Sequence, residues 1–373
     1  MQTVVEKTKE QDEYRLVFDP REDLITVIGR EGNPSGFDAS TLDFPVRVVA
    51  EITSLCNMRC TYCSQSSNPR GQSMQLENMV KVVDETDAFK VFRLSIRGGE
   101  ATMHPHFMEL WDYAAEKEFI TLELVTNGLW IDEDRALHLL EKPTSKLIIS
   151  LDGREEANAR YRGRQQYPRV MGWLLPVLRE KADQVRVLTT VSKDNHDYLP
   201  EFSRYLVEQG LRYHNFSLLK RIGGAIGSAT KCLTRSEMYA FEEALNCVRS
   251  QFPSFTPTIS SPFYSDRDMT KGIPIQLFTE YFCGAGMKIM CNGRVGISQM
   301  IHFDMLSQID TTGNYNNEWN CLGNLSEGKS LHEIWIGNIE RRKEQARLAR
   351  ANYEYVIGLS DTYYAPNKNE TNK

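Results

Sequence analysis

Six apolar, β-rich runs separated by helix-patterned stretches constrain this chain more than any other feature. They are VRVVAEIT (46–53), FRLSIRGG (92–99), TLELVTNG (121–128), KLIISLDG (146–153), VRVLTTVS (185–192) and YHNFSLLK (213–220). Each is short and bounded by turn residues, as a buried parallel strand is. Between them the spacing predicts amphipathic helices. Leu76, Met79, Val80 and Val83 fall at i, i+3, i+4, i+7, as do Phe107, Leu110, Trp111 and Ala114. Leu199, Phe202 and Leu206 repeat the spacing, with Gly210 as the helix stop. Strands alternating with helices argue for an α/β fold built on a parallel sheet or barrel. The unusual residues follow the strands: a cysteine cluster after the first, then GGE (98–100), TNG (126–128), SLDG (150–153), TVS (190–192) and LLKR (218–221). In parallel barrels the C-terminal strand ends share one face, and that face carries the active site.

Composition narrows the class. With 373 residues the chain exceeds one ordinary domain, and 41% hydrophobic residues suffice for a sizeable core. A net charge of -6 without a dense Lys/Arg block argues against nucleic acid as a main partner. No apolar signal core opens the sequence, and no apolar run approaches the roughly 18 residues of a membrane span. The expectation is a cytoplasmic protein with no membrane partner, in which eight cysteines point to metal or catalysis before disulfides.

The segment CNMRCTYC places Cys56, Cys60 and Cys63 within eight positions. A structural zinc site wants four ligands. Three thiolates either borrow a fourth from afar or leave a coordination position open, and three can hold three irons of a four-iron, four-sulfur cubane. The fourth iron is then available to a small molecule. Zinc remains the bland alternative, although zinc knuckles prefer paired cysteines with a matching second pair.

The C-x3-C-x2-C pattern, with an aromatic before the last cysteine, resembles the signature of the radical S-adenosylmethionine (radical SAM) superfamily. RGGEATMHPHF, TNG, SLDG and YRGR resemble further motifs of that family, in order, over about residues 48–220. The resemblance implies a partial (β/α)6 TIM-like barrel with a small C-terminal cysteine-containing extension. It implies a 4Fe-4S cluster and S-adenosyl-L-methionine as cofactors, with cleavage of the sulfonium to a 5′-deoxyadenosyl radical that takes a substrate hydrogen. Cys56, Cys60 and Cys63 would ligate the cluster and Tyr62 would lie near the adenine. Gly98, Gly99 and Glu100 would meet the amino end of the cofactor, the glycines by close backbone approach and the carboxylate by charge. Ser150 would bond the ribose or carboxylate, Arg162 would pair with the cofactor carboxylate, and Asn127 would line the same mouth. Beside these stand plainer readings. Ser150 and Asp152 would merely cap a helix, Arg162 would be a surface arginine, and His104 and His106 would brace the turn around Pro105.

After residue 220 the texture changes. RIGGAIG (221–227) reads as a flexible connection, TRSE (234–237) as a capping box opening a helix with Met238, Phe241, Leu245 and Val248 on one face, and SQFPSFTPTISSPF (250–263) as a connector. CGAGMKIMCNGRVGIS (283–298) and LGNLSEGKSLHEIW (322–335) resemble a SPASM or twitch extension, a module that holds auxiliary iron–sulfur clusters. Ser298 stands where that pattern expects a cysteine, and no cysteine follows Cys321. Counting excludes a full two-cluster set. Cys283, Cys291 and Cys321 would hold one auxiliary cluster, or the module has kept its fold and lost its metal. Cys232 and Cys247 are candidate hydrogen-atom donors to a substrate radical, against the commoner fate of buried inert cysteine. The expected division is a lead-in (1–45), the barrel (46–220), a connecting loop and helix (221–280), the extension (281–345) and a tail (346–373).

Three functions follow. The leading one is modification of a ribosomal peptide by crosslinking, thioether formation or epimerisation, with a flavodoxin- or ferredoxin-type electron donor. The second is oxidation or epimerisation of a small metabolite such as a sugar or aminocyclitol. The third, an iron–sulfur electron carrier, has no use for an open three-cysteine site beside GGE and SLDG.

Overall fold

The computed structural model describes residues 8–11, 14–19, 24–29, 39–219 except 66, 68 and 120, then 223–225, 231–260, 286–297 and 321–344. The lead-in contributes a separate antiparallel sheet of β1 (Thr8–Gln11), β2 (Tyr14–Asp19) and β3 (Leu24–Gly29). The six expected runs are β4 (Arg47–Thr53), β5 (Arg93–Gly98), β6 (Thr121–Thr126), β7 (Ser145–Ser150), β8 (Val185–Val191) and β9 (Tyr213–Leu218). They pair in parallel in chain order. The connecting helices are α1 (Leu76–Ala88), α2 (Phe107–Ala115), α3 (Glu133–Leu139), α4 (Glu155–Arg162), α5 (Gln166–Lys181) and α6 (Leu199–Glu208). Gly210 stops α6 in the left-handed region, at φ 102°.

The strands are two-faced, which the expectation of uniformly buried runs did not anticipate. Val48, Ala50, Ile52, Leu94, Ile96, Leu122, Leu124, Leu147 and Ile149 join one core with Met79, Leu110, Trp111 and Leu174 of the helices. Their strand neighbours point the other way, and in-register pairing aligns them across the sheet: Arg47 with Arg93, Glu51 with Arg97, Glu123 with Lys146, Arg186 with Tyr213. Val49 and Ile148 are buried yet belong to no part of that core, because they lie on this inner face. Helices cover the outer face, and the sheet curls so that Arg93 of β5 and Arg186 of β8 sense each other's charge.

Four strands fall where a connector was expected or beyond it. α7 (Arg235–Gln251) opens on the Thr234–Glu237 capping box, then β10 (Thr256–Ser260) pairs in parallel with β9. Pro257 is tolerated because β10 is an edge strand. At the other edge β11 (Gly286–Ile289) pairs in parallel with β4, and β12 (Arg294–Ile297) and β13 (Cys321–Asn324) continue the sheet antiparallel. The extension is anchored further by α8 (Leu331–Ile336), whose Trp335 Nε1 donates to Leu42 O at 3.0 Å; Arg342 Nη2 donates to the same oxygen at 2.9 Å. The tail expected at 346–373 lies outside the described residues. Among the described residues no helix is long and apolar enough to cross a membrane.

Candidate active site at the barrel mouth

The cysteine loop leaves the end of β4 and is held from four sides. Gly99 N donates to Thr53 O and Glu100 N to Leu55 O, both at 2.7 Å. Thr61 N donates to Tyr161 O at 3.3 Å, and Gly224 N to Cys63 O at 2.9 Å. Asn127 Nδ2 at the end of β6 donates to Asn57 Oδ1 at 2.8 Å. The stretch around Gly224, expected as a mere connection, is thus part of the loop's support; a Cβ there would lie 2.9 Å from Thr61 O.

Burial pushes the Cys56 thiol up to about 11; the Met58 amide opposes this, and Glu100, Cys60 and Cys63 add to it. Burial likewise raises Cys60, against the pull of Arg162. Cys56 and Cys60 therefore resist ionising, and Cys63 lies within electrostatic reach of both. A multiply charged cation between them reverses that preference and drives their protons off. Among the described residues no three His, Cys, Asp or Glu side chains close on a single ion. A cubane ties each thiolate to a different iron, so its ligands stand farther apart than those of one zinc. A thiol-only set of three, on one braced loop, fits such a cluster.

The GGE segment works differently from the expectation. A Cβ on Gly98 would lie 2.3 Å from Thr53 O, and one on Gly99 2.3 Å from Leu55 O. The close approach these glycines permit is to the cysteine loop's own backbone. The Glu100 carboxylate is buried and accepts from Thr102 N (3.3 Å), Thr102 Oγ1 (2.7 Å), Thr126 Oγ1 (2.7 Å) and Asn127 N (2.7 Å). Burial holds its carboxyl above the usual carboxylate range despite these donors. A carboxylate offers about four lone-pair sites, and here protein donors fill them. Glu100 ties β5 to β6 below the loop instead of presenting a bare charge to an ammonium.

Asp152 is the hub that the sequence concealed. It follows β7 on the inner-face register, and it does not cap α4, whose N-cap is Arg154. It is fully buried. Oδ2 accepts from Arg162 Nε at 2.6 Å and from the Tyr62 hydroxyl, and Oδ1 accepts from Thr190 N at 2.9 Å. Arg162 is not a surface residue. Its side chain is 9% exposed, its Nη1 lies 3.9 Å from Cys60 Sγ, and its guanidinium faces the Tyr62 ring at 5.6 Å. Burial opposes the Arg162 charge, but Asp152, Tyr62 and Cys60 together outweigh burial and hold the guanidinium above the ordinary arginine range. Burial likewise holds the Tyr62 hydroxyl well above the tyrosine range. One Arg162 donor is thus committed to Asp152 and another faces the cysteine loop. The expected pairing of the guanidinium with a free carboxylate has to share the group with both.

Two further residues that the sequence did not single out lock the mouth. Asn158 Oδ1 accepts from Asp152 N at 2.9 Å, and its Nδ2 donates to Gln166 Oε1 at 2.6 Å. Gln166 Nε2 then donates to Asn127 O and Ser150 O, both at 2.7 Å, clamping the tips of β6 and β7. Ser150 is buried at this tip. His104 does brace its turn: Nε2 meets Met74 O at 2.8 Å and Nδ1 accepts from His106 N at 3.1 Å.

The other cysteines lie elsewhere. Cys232 is buried in the outer core with Sγ 3.7 Å from Leu219 O, and Cys247 is exposed on α7, a helix outside the barrel. Cys232 thus packs one residue beyond the C-terminal end of β9, whereas Cys247 lies away from the strand ends. Cys291 and Cys321 are half-buried free thiols of the extension, and Cys283 lies outside the described residues.

Comparison with known proteins agrees with this architecture. Residues 50–204 match the sequence model of the Radical SAM superfamily. The mycofactocin maturase MftC of Mycolicibacterium smegmatis is 29% identical over 171 residues, 45% of this chain and 43% of that protein. The antilisterial bacteriocin subtilosin biosynthesis protein AlbA of Bacillus subtilis is 26% identical over 183 residues, 48% of this chain and 40% of that protein. The chain thus spans less than half the length of these curated relatives. In fold it is similar to Streptococcus suis SuiB bound to the precursor peptide SuiA, with a TM-score of 0.60 at 16% identity over 81% of this chain and 68% of that one. The three-cysteine loop at the end of the first barrel strand, the parallel barrel beneath it and the family match converge on one assignment: residues 50–204 form a radical SAM domain.

Proposed function

We propose that this protein is a radical SAM enzyme that modifies a ribosomal peptide, by crosslinking, thioether formation or epimerisation. The observation that carries the reading is the cysteine loop seated over the mouth, with Asp152 and Arg162 buried against Cys60. Cys56, Cys60 and Cys63 would hold a 4Fe-4S cluster, and Tyr62, Asn127, Ser150 and Arg162 would form the seat of S-adenosyl-L-methionine, with Gly98, Gly99 and Glu100 bracing the loop beneath it. When bound, these groups supply one-electron cleavage of a sulfonium carbon–sulfur bond and, from it, hydrogen-atom abstraction.

The chain's own residues do the rest. Asp152 fixes Arg162 so that its cationic edge faces the loop, where a bound carboxylate gains most from a guanidinium. Gln166 and Asn158 hold the strand tips rigid, and the buried Glu100 network keeps water out from below. Peptide modification is favoured by the likeness to maturases such as MftC and to SuiB in complex with SuiA. An electron donor of flavodoxin or ferredoxin type and a cytoplasmic location go with this reading. So do the domain boundaries at 46, 221, 281 and 346, and an extension, resembling a SPASM or twitch module, in which Cys283, Cys291 and Cys321 would serve one auxiliary cluster.

The test is anaerobic reconstitution followed by incubation with a reductant and S-adenosylmethionine. The wild-type chain should release 5′-deoxyadenosine and the Cys60→Ala chain should not. Equal behaviour of the two removes the enzymatic reading.

A further inference from the structure

The charge of this chain is unevenly spread. The net is -6, yet three segments that form the cysteine loop or brace it hold nine Lys and Arg and no Asp or Glu. They are residues 54–75 between β4 and α1, 157–169 from α4 into α5, and 219–234 between β9 and α7. The five loops that lead from α1, α2, α3, α5 and α6 into the next strand, at the opposite end of the barrel, carry four of each sign. There the charges neutralise one another: Lys90 meets Glu118 at 3.3 Å, Lys142 meets Glu116 at 2.8 Å, and Arg212 pairs with Asp183.

Three cations beside the cysteine loop lack a counter-ion. α4 is polarised, with Glu155 and Glu156 in its first turn and Arg160 and Arg162 in its last. The last turn is the one against the loop, where Thr61 N donates to Tyr161 O at 3.3 Å and Arg162 turns in on Asp152 and Cys60. Arg160 and Arg164, on either side of the buried Arg162 in sequence, are exposed, as is Arg59, which precedes Cys60. Among the described residues none of these three exposed arginines is in an ion pair. Asp194, an exposed acid felt by Tyr161, is already held by Lys231 at 2.7 Å. The loop is open to solvent here: Cys60 and Cys63 are half-buried, and Thr61 and Ser64 beside them are exposed.

We propose that Arg59, Arg160 and Arg164 form the docking surface for an acidic one-electron donor protein. The inference rests on the radical reading above, which calls for such a donor, and says where it binds. One electron passes from the reduced donor, which is thereby oxidised by one electron, to the group held by the three cysteines, and no atom crosses the interface. Transfer needs only close approach, and the half-buried Cys60 and Cys63 are more open to an outside partner than the buried Cys56. A peptide to be modified has to enter the mouth; a donor has only to touch the solvent edge of the loop. Unpaired surface arginines contribute little to stability, but they steer an oppositely charged partner and raise its on-rate. That suits the small, transient interfaces of electron transfer. The rest of the surface, acidic on balance, repels the same partner and so orients it.

The test is calorimetric titration of the whole chain, metal-free and cluster-loaded, with oxidised flavodoxin, an acidic one-electron carrier, and with cytochrome c, a basic one. Flavodoxin should bind both forms, raising salt from about 20 to about 300 mM should weaken it about tenfold, and cytochrome c should not bind. The chain with Arg59→Glu, Arg160→Glu and Arg164→Glu together should bind flavodoxin about thirtyfold less tightly. Arg179→Glu, an exposed arginine in the last turn of α5 at the opposite end of the barrel, should change binding by less than about twofold. With dithionite as reductant both variants should release 5′-deoxyadenosine at the wild-type rate; with reduced flavodoxin the triple variant should be about tenfold slower. Flavodoxin binding unchanged by the triple reversal, equal binding of cytochrome c, or no flavodoxin binding overturns the proposal. A triple variant as slow with dithionite as with flavodoxin overturns it too, because the arginines would then serve the substrate or cofactor. A wild-type chain that releases nothing with dithionite but binds flavodoxin through these arginines sinks the radical reading and leaves the docking surface standing.

Discussion

The outer and inner faces of the same barrel strands follow opposite rules. On the outside, Leu94, Leu124, Leu147 and Ile149 are fully or almost fully buried against helices and carry no charge. On the inside, Arg93, Glu123, Lys146 and Arg186 stand in register neighbours' reach, and the same alternation leads up β7 through Ser150 to Asp152 at the rim. The outer face buys nothing but stability. The inner face keeps polar groups desolvated, which costs free energy unless each is matched by a partner or a ligand.

That contrast breaks first at the rim. Asp152→Asn should leave Arg162 buried without its counter-charge, costing about 3–5 kcal/mol of stability, and should lower 5′-deoxyadenosine release per folded molecule by about a hundredfold. Chemical denaturation and product assay on the same preparation check both. A variant that loses stability but keeps full release would make Asp152 a mere strut.

Leu147→Ala, its neighbour on the outer face, should cost about 3 kcal/mol through the cavity it leaves, with release per folded molecule unchanged. A fall in release at equal cluster content would show that the two faces are not separable.

The smallest effect is on pH. His214, on the outer face, lies between Thr189 Oγ1 at 2.7 Å and Ser203 Oγ at 3.0 Å. Burial lowers it from 6.5 to about 3, so it is neutral in the fold. The unfolded chain then binds an extra proton between those values, and stability falls as pH drops through that window, by about 1 kcal/mol per unit below pH 6. Melting curves between pH 7 and 5 should show this slope, and His214→Asn should flatten it.

Much of this was legible in the sequence. The strand–helix alternation depends on local periodicity, and all six expected barrel strands formed where the patterns lay. The three-cysteine spacing marked the loop. β10 was hidden because Pro257 reads as a breaker, and only an edge position makes it harmless. The roles of Asp152, Asn158 and Gln166 were hidden for a different reason. A polar residue in a loop or first helical turn looks the same whether solvent or a buried carboxylate meets it, and the partners lie on other strands. The glycines of GGE were noticed, but what they approach was settled only by the path of the cysteine loop. The two-faced strands were readable: in RLSIRG, TLELVT and SKLIIS the charges fall at alternate positions.

The central claim is a coordination site left open at Cys56, Cys60 and Cys63. Mössbauer spectroscopy of anaerobic protein reconstituted with isotopically enriched iron tests it most directly. One iron of the cluster should change its isomer shift when S-adenosylmethionine is added, while the other three stay as they were. Zinc at the loop, or a cluster whose irons all ignore the added nucleotide, would contradict the account.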